Sequence, residues 1–282
     1  MAREQPAPPP DSAQPSPDDG ALVTVTTTRY VADAALAMID RVIAETPVAL
    51  VYNGIAHAVM LATPADLEDF ALGFSLSEGL IAAPGDVLDL DIVAVPLGIE
   101  ARLTLSNQRF AGFKATRRRL AGRTGCGLCG VESLEQALPP VGRVDHGLTI
   151  TPAALAGAMA ELAERQRLHQ ATGGVHAAAW VAADGGVRLV REDVGRHNAL
   201  DKLLGALASQ RAARGDGFVV ITSRASHEMV QKTVRAGIEL LAAVSAPTSL
   251  AVSQADAAGL TLVGWLRAQG FTAYTHPGRI TG

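Results

Sequence analysis

Residues 217–266 read G-F-V-V-I-T-S-R-A-S-H-E-M-V-Q-K-T-V-R-A-G-I-E-L-L-A-A-V-S-A-P-T-S-L-A-V-S-Q-A-D-A-A-G-L-T-L-V-G-W-L. Apolar runs at 218–222, 238–244 and 260–266 have strand length. Helix-length segments at 226–236 and 248–258 separate them. This alternation predicts a parallel or mixed sheet covered by helices on both faces. The runs end on polar loops, Ser223-Arg224-Ala225-Ser226-His227-Glu228 and Ser245-Ala246-Pro247-Thr248. Loops at the carboxyl ends of such strands usually form the site.

The pattern extends upstream. Residues 175–182 and 187–191 read as strands joined by Asp184-Gly185-Gly186, and a helix is expected at 198–209 with Asn198 as its N-cap. A last strand is expected at 271–275. Thr151-Pro152 opens a helix with Leu155, Met159 and Leu162 on one face. The earlier half has another texture. Residues 21–28 are β-branched, 47–54 form a strand ending in Asn53-Gly54, and 55–62 are its hairpin partner. Thr63 is expected to cap a helix carrying Leu67, Phe70, Ala71 and Phe74, with Gly79 near its stop, and 91–106 return to strand. We therefore expect a disordered tail at 1–20, an N-terminal α+β domain at 21–145 and an α/β domain at 146–282.

Composition narrows the function. The 282 residues are 48% hydrophobic and 18% charged, which suits packed cores and excludes a wholly disordered chain. Net charge is −4, so bulk attraction to nucleic acid or to an anionic membrane is not expected. Much of that charge lies in residues 1–20, which hold one base, four acids and six of the 15 prolines. The tail has neither a basic start nor an apolar run, so it does not read as a secretory signal. The charge-free stretch 240–255 is too short and too polar to span a bilayer. A cytoplasmic protein with reduced thiols is expected.

Both cysteines fall in Thr124-Gly125-Cys126-Gly127-Leu128-Cys129-Gly130. A structural zinc site needs four ligands, and this pair supplies two; His146 lacks a spaced partner, and no metal is expected. A thioredoxin-like dithiol, two incidental thiols and a sulfur-carrying cysteine remain as readings. The last needs a thiolate that successive partners can reach. Residues 109–123 hold six bases (Arg109, Lys114, Arg117, Arg118, Arg119 and Arg123) and no acid, which favours a thiolate nearby.

Two other polar stretches stand out. Thr172-Gly173-Gly174-Val175-His176 leads into a strand and can bring backbone N–H groups to a ligand. Arg191-Glu192-Asp193-Val194-Gly195-Arg196-His197-Asn198-Ala199-Leu200-Asp201-Lys202 has six charged residues of twelve. Arg191, Arg196, His197 and Arg224, with Ser223 and Ser226, suit phosphates at helix starts. Asp193 or Asp201 could accept hydrogen bonds from a base or ribose. The alternative for this stretch is an internal salt-bridge network. No Gly-x-Ser-x-Gly elbow, H-E-x-x-H or Walker A motif occurs, nor the zinc-deaminase signature.

These motifs, in this order, resemble the FdhD/NarQ family of formate dehydrogenase accessory sulfurtransferases over about residues 45–276. The resemblance rests on Asn53-Gly54, Thr63-Pro64-x-Asp66-Leu67, Gly73-Phe74, Glu78-Gly79, T-G-C-G-L-C-G, T-G-G-V-H-A-A-A, R-E-D-V-G-R-H-N-A-L-D-K, S-R-A-S-H-E-M-V-Q-K, S-A-P-T-S-L-A-V and F-T-A-Y-T-H. It implies a carrier that accepts sulfur from a cysteine desulfurase. The carrier passes it to the molybdenum cofactor, as Mo-bis(molybdopterin guanine dinucleotide), before insertion into formate dehydrogenase. By the same resemblance Cys126 carries the persulfide, Cys129 assists, and Phe271, Thr272, Ala273, Tyr274, Thr275 and His276 bind the cofactor. The second domain is then expected to have a cytidine-deaminase-like three-layer α/β fold without zinc ligands. A homodimer is expected. The competing functions are a cofactor-binding chaperone that moves no sulfur and a dithiol oxidoreductase.

Overall fold

The structure is a computed structural model and describes residues 20–120, 142–145, 147–211 and 215–282. The expected tail through residue 19 and the loop with Cys126 and Cys129 lie outside the described residues.

The first half builds a four-stranded sheet from β3 (Thr46–Tyr52), β4 (Ile55–Ala62), β5 (Val87–Val95) and β6 (Gly98–Leu105), in the order β4-β3-β6-β5. The β3–β4 turn is Asn53-Gly54, with φ of 47° and 79°, the left-handed pair that a tight hairpin needs. Helix α1 (Leu67–Ser77) crosses one face, and α2 (Asn107–Leu120) follows β6. Leu50, Tyr52, Leu103 and Leu105 pack there against Phe70, Phe74 and Phe113.

Residues 22–43 form a separate hairpin, β1 (Leu22–Val31) with β2 (Ala34–Ile43). Its base packs with Leu168 and Val175, so it leans on the second half. Strand β2 and helix α2 have no counterpart in the sequence expectation.

The second half begins with α3 (Pro152–Arg165) and α4 (Arg167–Thr172). It is organised on a six-stranded sheet of β7 (His176–Ala182), β8 (Val187–Asp193), β9 (Gly217–Ile221), β10 (Leu240–Ala243), β11 (Thr261–Arg267) and β12 (Gly270–Ala273). The order is β12-β11-β10-β9-β7-β8. The central β9, β10 and β11 are parallel, and β7, β8 and β12 run antiparallel to their neighbours. Helices α5 (Arg196–Ser209), α6 (His227–Arg235) and α7 (Ser249–Ala258) cover one face. Val219, Ile221, Leu241 and Leu262 point to that side. Phe218, Val220, Leu240 and Val263 point to the other, against Leu155 and Leu162 of α3. Burial on both faces is why these strands read as continuous apolar runs. The mixed α/β architecture agrees with the expected class.

Two local expectations are corrected. Helix α5 starts at Arg196 with Gly195 as N-cap, so Asn198 sits inside it. Helix α1 starts at Leu67 behind a left-handed Asp66, and Thr63 does not cap it. Both residues serve the seam between the halves. Helices α1 and α5 cross there backbone to backbone. A Cβ on Gly73 would land on the Asp201 carbonyl oxygen, and one on Gly205 on that of Asp69.

Candidate functional site

The sheet brings several of the predicted residues to one edge. Strand β8 ends on Asp193, opposite His176 at the start of β7. Ala178 pairs with Ile221, so the end of β9 lies beside them. Ala225 and Pro247 form a bridge, and Thr248 N donates to Ala225 O at 3.0 Å, which ties the loop after β10 to the loop after β9. Trp265 N donates to Ser245 O at 3.3 Å and adds the end of β11. Gly174, His176, Arg196, His197, Ser223, Arg224 and Ser226 thus share one end of the sheet. The polar loops that follow β8, β9 and β10 lie together at this edge.

Helices α5 and α6 both point their N-termini at this edge, where backbone N–H groups and the helix dipole favour an anion. Ser226 is the N-cap of α6, yet its buried hydroxyl has no hydrogen-bond partner among the described residues. The half-buried Arg196 and the exposed Arg224 make no ion pair among the described residues. His197 Nε2 lies 2.9 Å from Glu228 Oε2. That hydrogen bond, against the cost of partial burial, pulls the Glu228 carboxyl down to about 2. Burial and the Arg196 cation lower the pKa of His176, which keeps its ring neutral near pH 7.

Other residues of the charged stretch turn inward. The Asp193 carboxylate is fully buried, 2.7 Å from Lys202 Nζ. It also accepts from Thr63 N at 3.0 Å, Gly195 N at 2.7 Å and Asn198 Nδ2 at 3.0 Å. Asn198 Nδ2 donates to Leu61 O, and Lys202 Nζ to Thr63 O. Asp201 accepts from Ser77 Oγ at 2.6 Å and from Lys232 Nζ at 2.9 Å. Burial opposes the Lys232 charge, but the Asp201 and Glu78 carboxylates outweigh it and raise its pKa. Arg191 reaches Asp69 Oδ2 at 2.7 Å and 2.9 Å. Of the two readings left open for this stretch, the internal network holds Arg191, Asp193, Asn198 and Asp201, while Arg196 and His197 face the edge.

The stretch 271–276 divides as well. Phe271 and Ala273 pack toward α3, and Thr275 Oγ1 bonds within the chain to Leu260 O at 2.6 Å. His276 Nε2 lies 2.9 Å from Asp256 O. Thr272 and Tyr274 are exposed, and the Tyr274 ring lies against Gly264, near Pro247. Gly173 ends α4 in a left-handed conformation. In the basic segment, Arg109 pairs with Asp86 at 2.9 Å and Lys114 lies over the Phe110 ring.

Sequence reasoning passed over Trp265, half-exposed at the end of β11 with φ 55°, and the pair His197–Glu228. A tryptophan after Gly264 in an otherwise apolar strand was the available signal. Among the described residues no cluster that could hold a metal ion occurs, and no helix is long and apolar enough to cross a membrane.

Fold and edge together define an α/β protein of two larger sheets and a two-stranded hairpin, with a cationic surface at the carboxyl ends of its parallel strands. The architecture matches a crystal structure of a candidate formate dehydrogenase accessory protein from Desulfotalea psychrophila. Its TM-score is 0.71 at 24% identity, covering 93% of this chain and all of that one. The model of the FdhD/NarQ family matches residues 43–281. Relatives named "Sulfur carrier protein FdhD" include that of Variovorax paradoxus, 55% identical over 86% of this chain and 87% of the relative. That of Cupriavidus necator is 56% identical over 86% and 84%, and that of Bordetella petrii 50% identical over 94% and 96%. The chain belongs to the FdhD/NarQ family.

Proposed function

We propose that this chain is a sulfur carrier serving formate dehydrogenase. It accepts sulfur from a cysteine desulfurase as a persulfide on Cys126 and delivers it to Mo-bis(molybdopterin guanine dinucleotide) before that cofactor enters the enzyme. The observation that carries this reading is the shared name of relatives at 50–56% identity over most of the chain.

The Cys126 thiolate attacks the outer sulfur of the desulfurase persulfide. The Cys126 S–S bond forms, the donor S–S bond breaks, and the donor cysteine leaves as thiolate. The basic segment upstream, in sequence, favours the Cys126 thiolate. Cys129 resolves the persulfide by attacking the Cys126 sulfur. A Cys126–Cys129 disulfide forms, the outer sulfur leaves at the sulfide level, and a dithiol reductant of the cell restores the pair. Cys129 thus supplies the two electrons that delivery of sulfide requires.

The cargo is polyanionic, and the sheet edge fits it. Arg196, Arg224, the N-termini of α5 and α6 and the unpartnered Ser226 hydroxyl offer donors to phosphate. Thr272 and Tyr274 are the two residues of 271–276 placed to meet a ligand through exposed side chains. Asp193 and Asp201 are left out of this reading, because buried internal partners occupy their oxygens. The reading includes a cytoplasmic homodimer and a cytidine-deaminase-like second half, supported by the mixed sheet with helices on both faces.

Intact mass after incubation with desulfurase and cysteine tests the proposal. One added sulfur is expected on the wild type and none on Cys126→Ala, which also fails to mature formate dehydrogenase. An unmodified wild type that still binds cofactor would establish the chaperone instead. Turnover in a thiol-oxidation assay through a reversible Cys126–Cys129 disulfide, without sulfur loading, would establish the oxidoreductase.

A further inference from the structure

At the opposite end of the six-stranded sheet, where α5 and α6 finish, a cavity of about 510 Å³ opens between the two halves. Its wall comes from Leu76 of α1, from Trp180 of β7 and from Leu204 and Leu207 of α5, and its rim holds Arg211 and Arg235. The volume is that of a site for a small organic molecule.

The charges around it are unequal. Lys232 answers Asp201 and Glu78. Arg211 and Arg235 have no carboxylate partner among the described residues, which leaves three cations against two carboxylates. The negative ends of α1, α5 and α6 meet here, and several of their last carbonyls are already occupied. Ser77 O accepts from the Arg235 guanidinium, Ala206 O and Ala208 O from Gln210 and Arg211 N–H, and Lys232 O and Val234 O from Ala236 and Gly237 N–H. The guanidinium groups of Arg211 and Arg235 thus stand at the rim without carboxylate partners among the described residues, above an apolar floor with an indole in its wall.

We propose that this cavity is a small-molecule site for a flat aromatic body bearing one anionic group, a carboxylate or a phosphate. The ring system lies along Trp180, Leu204 and Leu207, and the acid meets Arg211 and Arg235. Because α1 supplies one wall and α5 the other, an occupant bridges the two halves. The site is separate from the sheet edge, and the proposal does not depend on the sulfur-carrier reading.

The chain has two tryptophans, so Trp265→Phe leaves Trp180 as the sole indole donor. Anilinonaphthalene sulfonate, an aromatic anion that accepts energy from tryptophan, is titrated into that variant of the full chain. Saturable transfer is expected. Naphthoate and naphthyl phosphate should displace the probe, and their ranking identifies the preferred acid. Neutral naphthalenemethanol should displace it about tenfold more weakly or worse, the value of one charge-assisted hydrogen bond. Ala82 is exposed at the mouth, so Ala82→Phe, which adds bulk without adding an indole donor, should leave the fold intact and abolish transfer. Arg211→Glu with Arg235→Glu should remove the preference for acid over alcohol. Transfer that persists in Ala82→Phe, transfer that never saturates, or an alcohol that competes as well as the acids would overturn the proposal.

Discussion

The seam between the halves and the carboxyl edge of the six-stranded sheet draw on the same stretch, Arg191 to Lys202, and treat its polar groups oppositely. At the seam each charge has a partner. Lys202 and Asp193 have no exposed side-chain surface and lie 2.7 Å apart, and Asp193 also accepts three N–H donors. At the edge Arg196 and Arg224 lack ion-pair partners among the described residues, and the Ser226 hydroxyl is buried without a partner. A buried polar group without a partner is costly, so seam residues are constrained by folding. Edge residues are free to be constrained by a ligand. The difference separates charged side chains that hold the molecule together from those available for chemistry.

The largest effect that tests this contrast is expected at Lys202. Lys202→Met leaves the Asp193 carboxylate buried without its cation and should cost about 3–5 kcal/mol, read by urea unfolding. A loss below about 1 kcal/mol would show that the seam is not what fixes the turn into α5. Gly73→Ala should cost about 2 kcal/mol, because its methyl group meets the Asp201 backbone and forces α1 off α5.

Legibility in the sequence followed the same division. Strands β9, β10 and β11 and helices α6 and α7 were readable because apolar runs and turn residues report burial on both faces. Strand β2, A-A-L-A-M-I-D-R-V-I, was not, because its residues are mostly exposed and follow no two-residue alternation. The gathering of Arg196, Arg224 and Ser226 at one edge was legible from polar loops after successive strands, whereas Gly174 and His176 reach it only because β7 runs antiparallel to its neighbours. The inward direction of Asp193, Asn198 and Asp201 was not. It depends on Thr63 and Ser77, more than 100 residues away in the chain, and local pattern carries no such distance. Thr63 looked like a helix cap for the same reason, since a Thr-Pro pair signals a turn whether its oxygen caps a helix or accepts from Val194 N.

At the edge the expected effects move from folding to binding. Arg196→Ala and Arg224→Ala should each leave stability within about 0.5 kcal/mol of wild type. Each should weaken guanosine diphosphate, measured by titration calorimetry, about tenfold through loss of one charge-assisted contact. The same titration on Arg191→Lys separates the regions. Its guanidinium is held by Asp69, so nucleotide affinity should stay near wild type while stability falls. A drop in affinity from Arg191→Lys as large as that from Arg196→Ala would erase the distinction.

The smallest effect lies where the edge resembles the seam, at His197 and Glu228. The hydrogen bond from His197, working against partial burial, holds the Glu228 carboxyl at about 2 in place of its usual 4.5. A carboxyl depressed in the folded state stabilises above its unfolded value, and that contribution is lost as pH falls through the folded one. The stability difference between wild type and Glu228→Gln should therefore be constant above pH 4.5 and shrink as pH falls toward about 2. The carboxylate is nearly half exposed, so solvent screening limits the difference to about 1 kcal/mol. In His197→Gln the carboxyl should titrate close to its usual value, and Glu228→Gln should then add no pH-dependent loss in that window. A full pH-dependent difference in the His197→Gln background would assign the depression to Arg196 and the α6 N-terminus, making the edge field stronger than the pair.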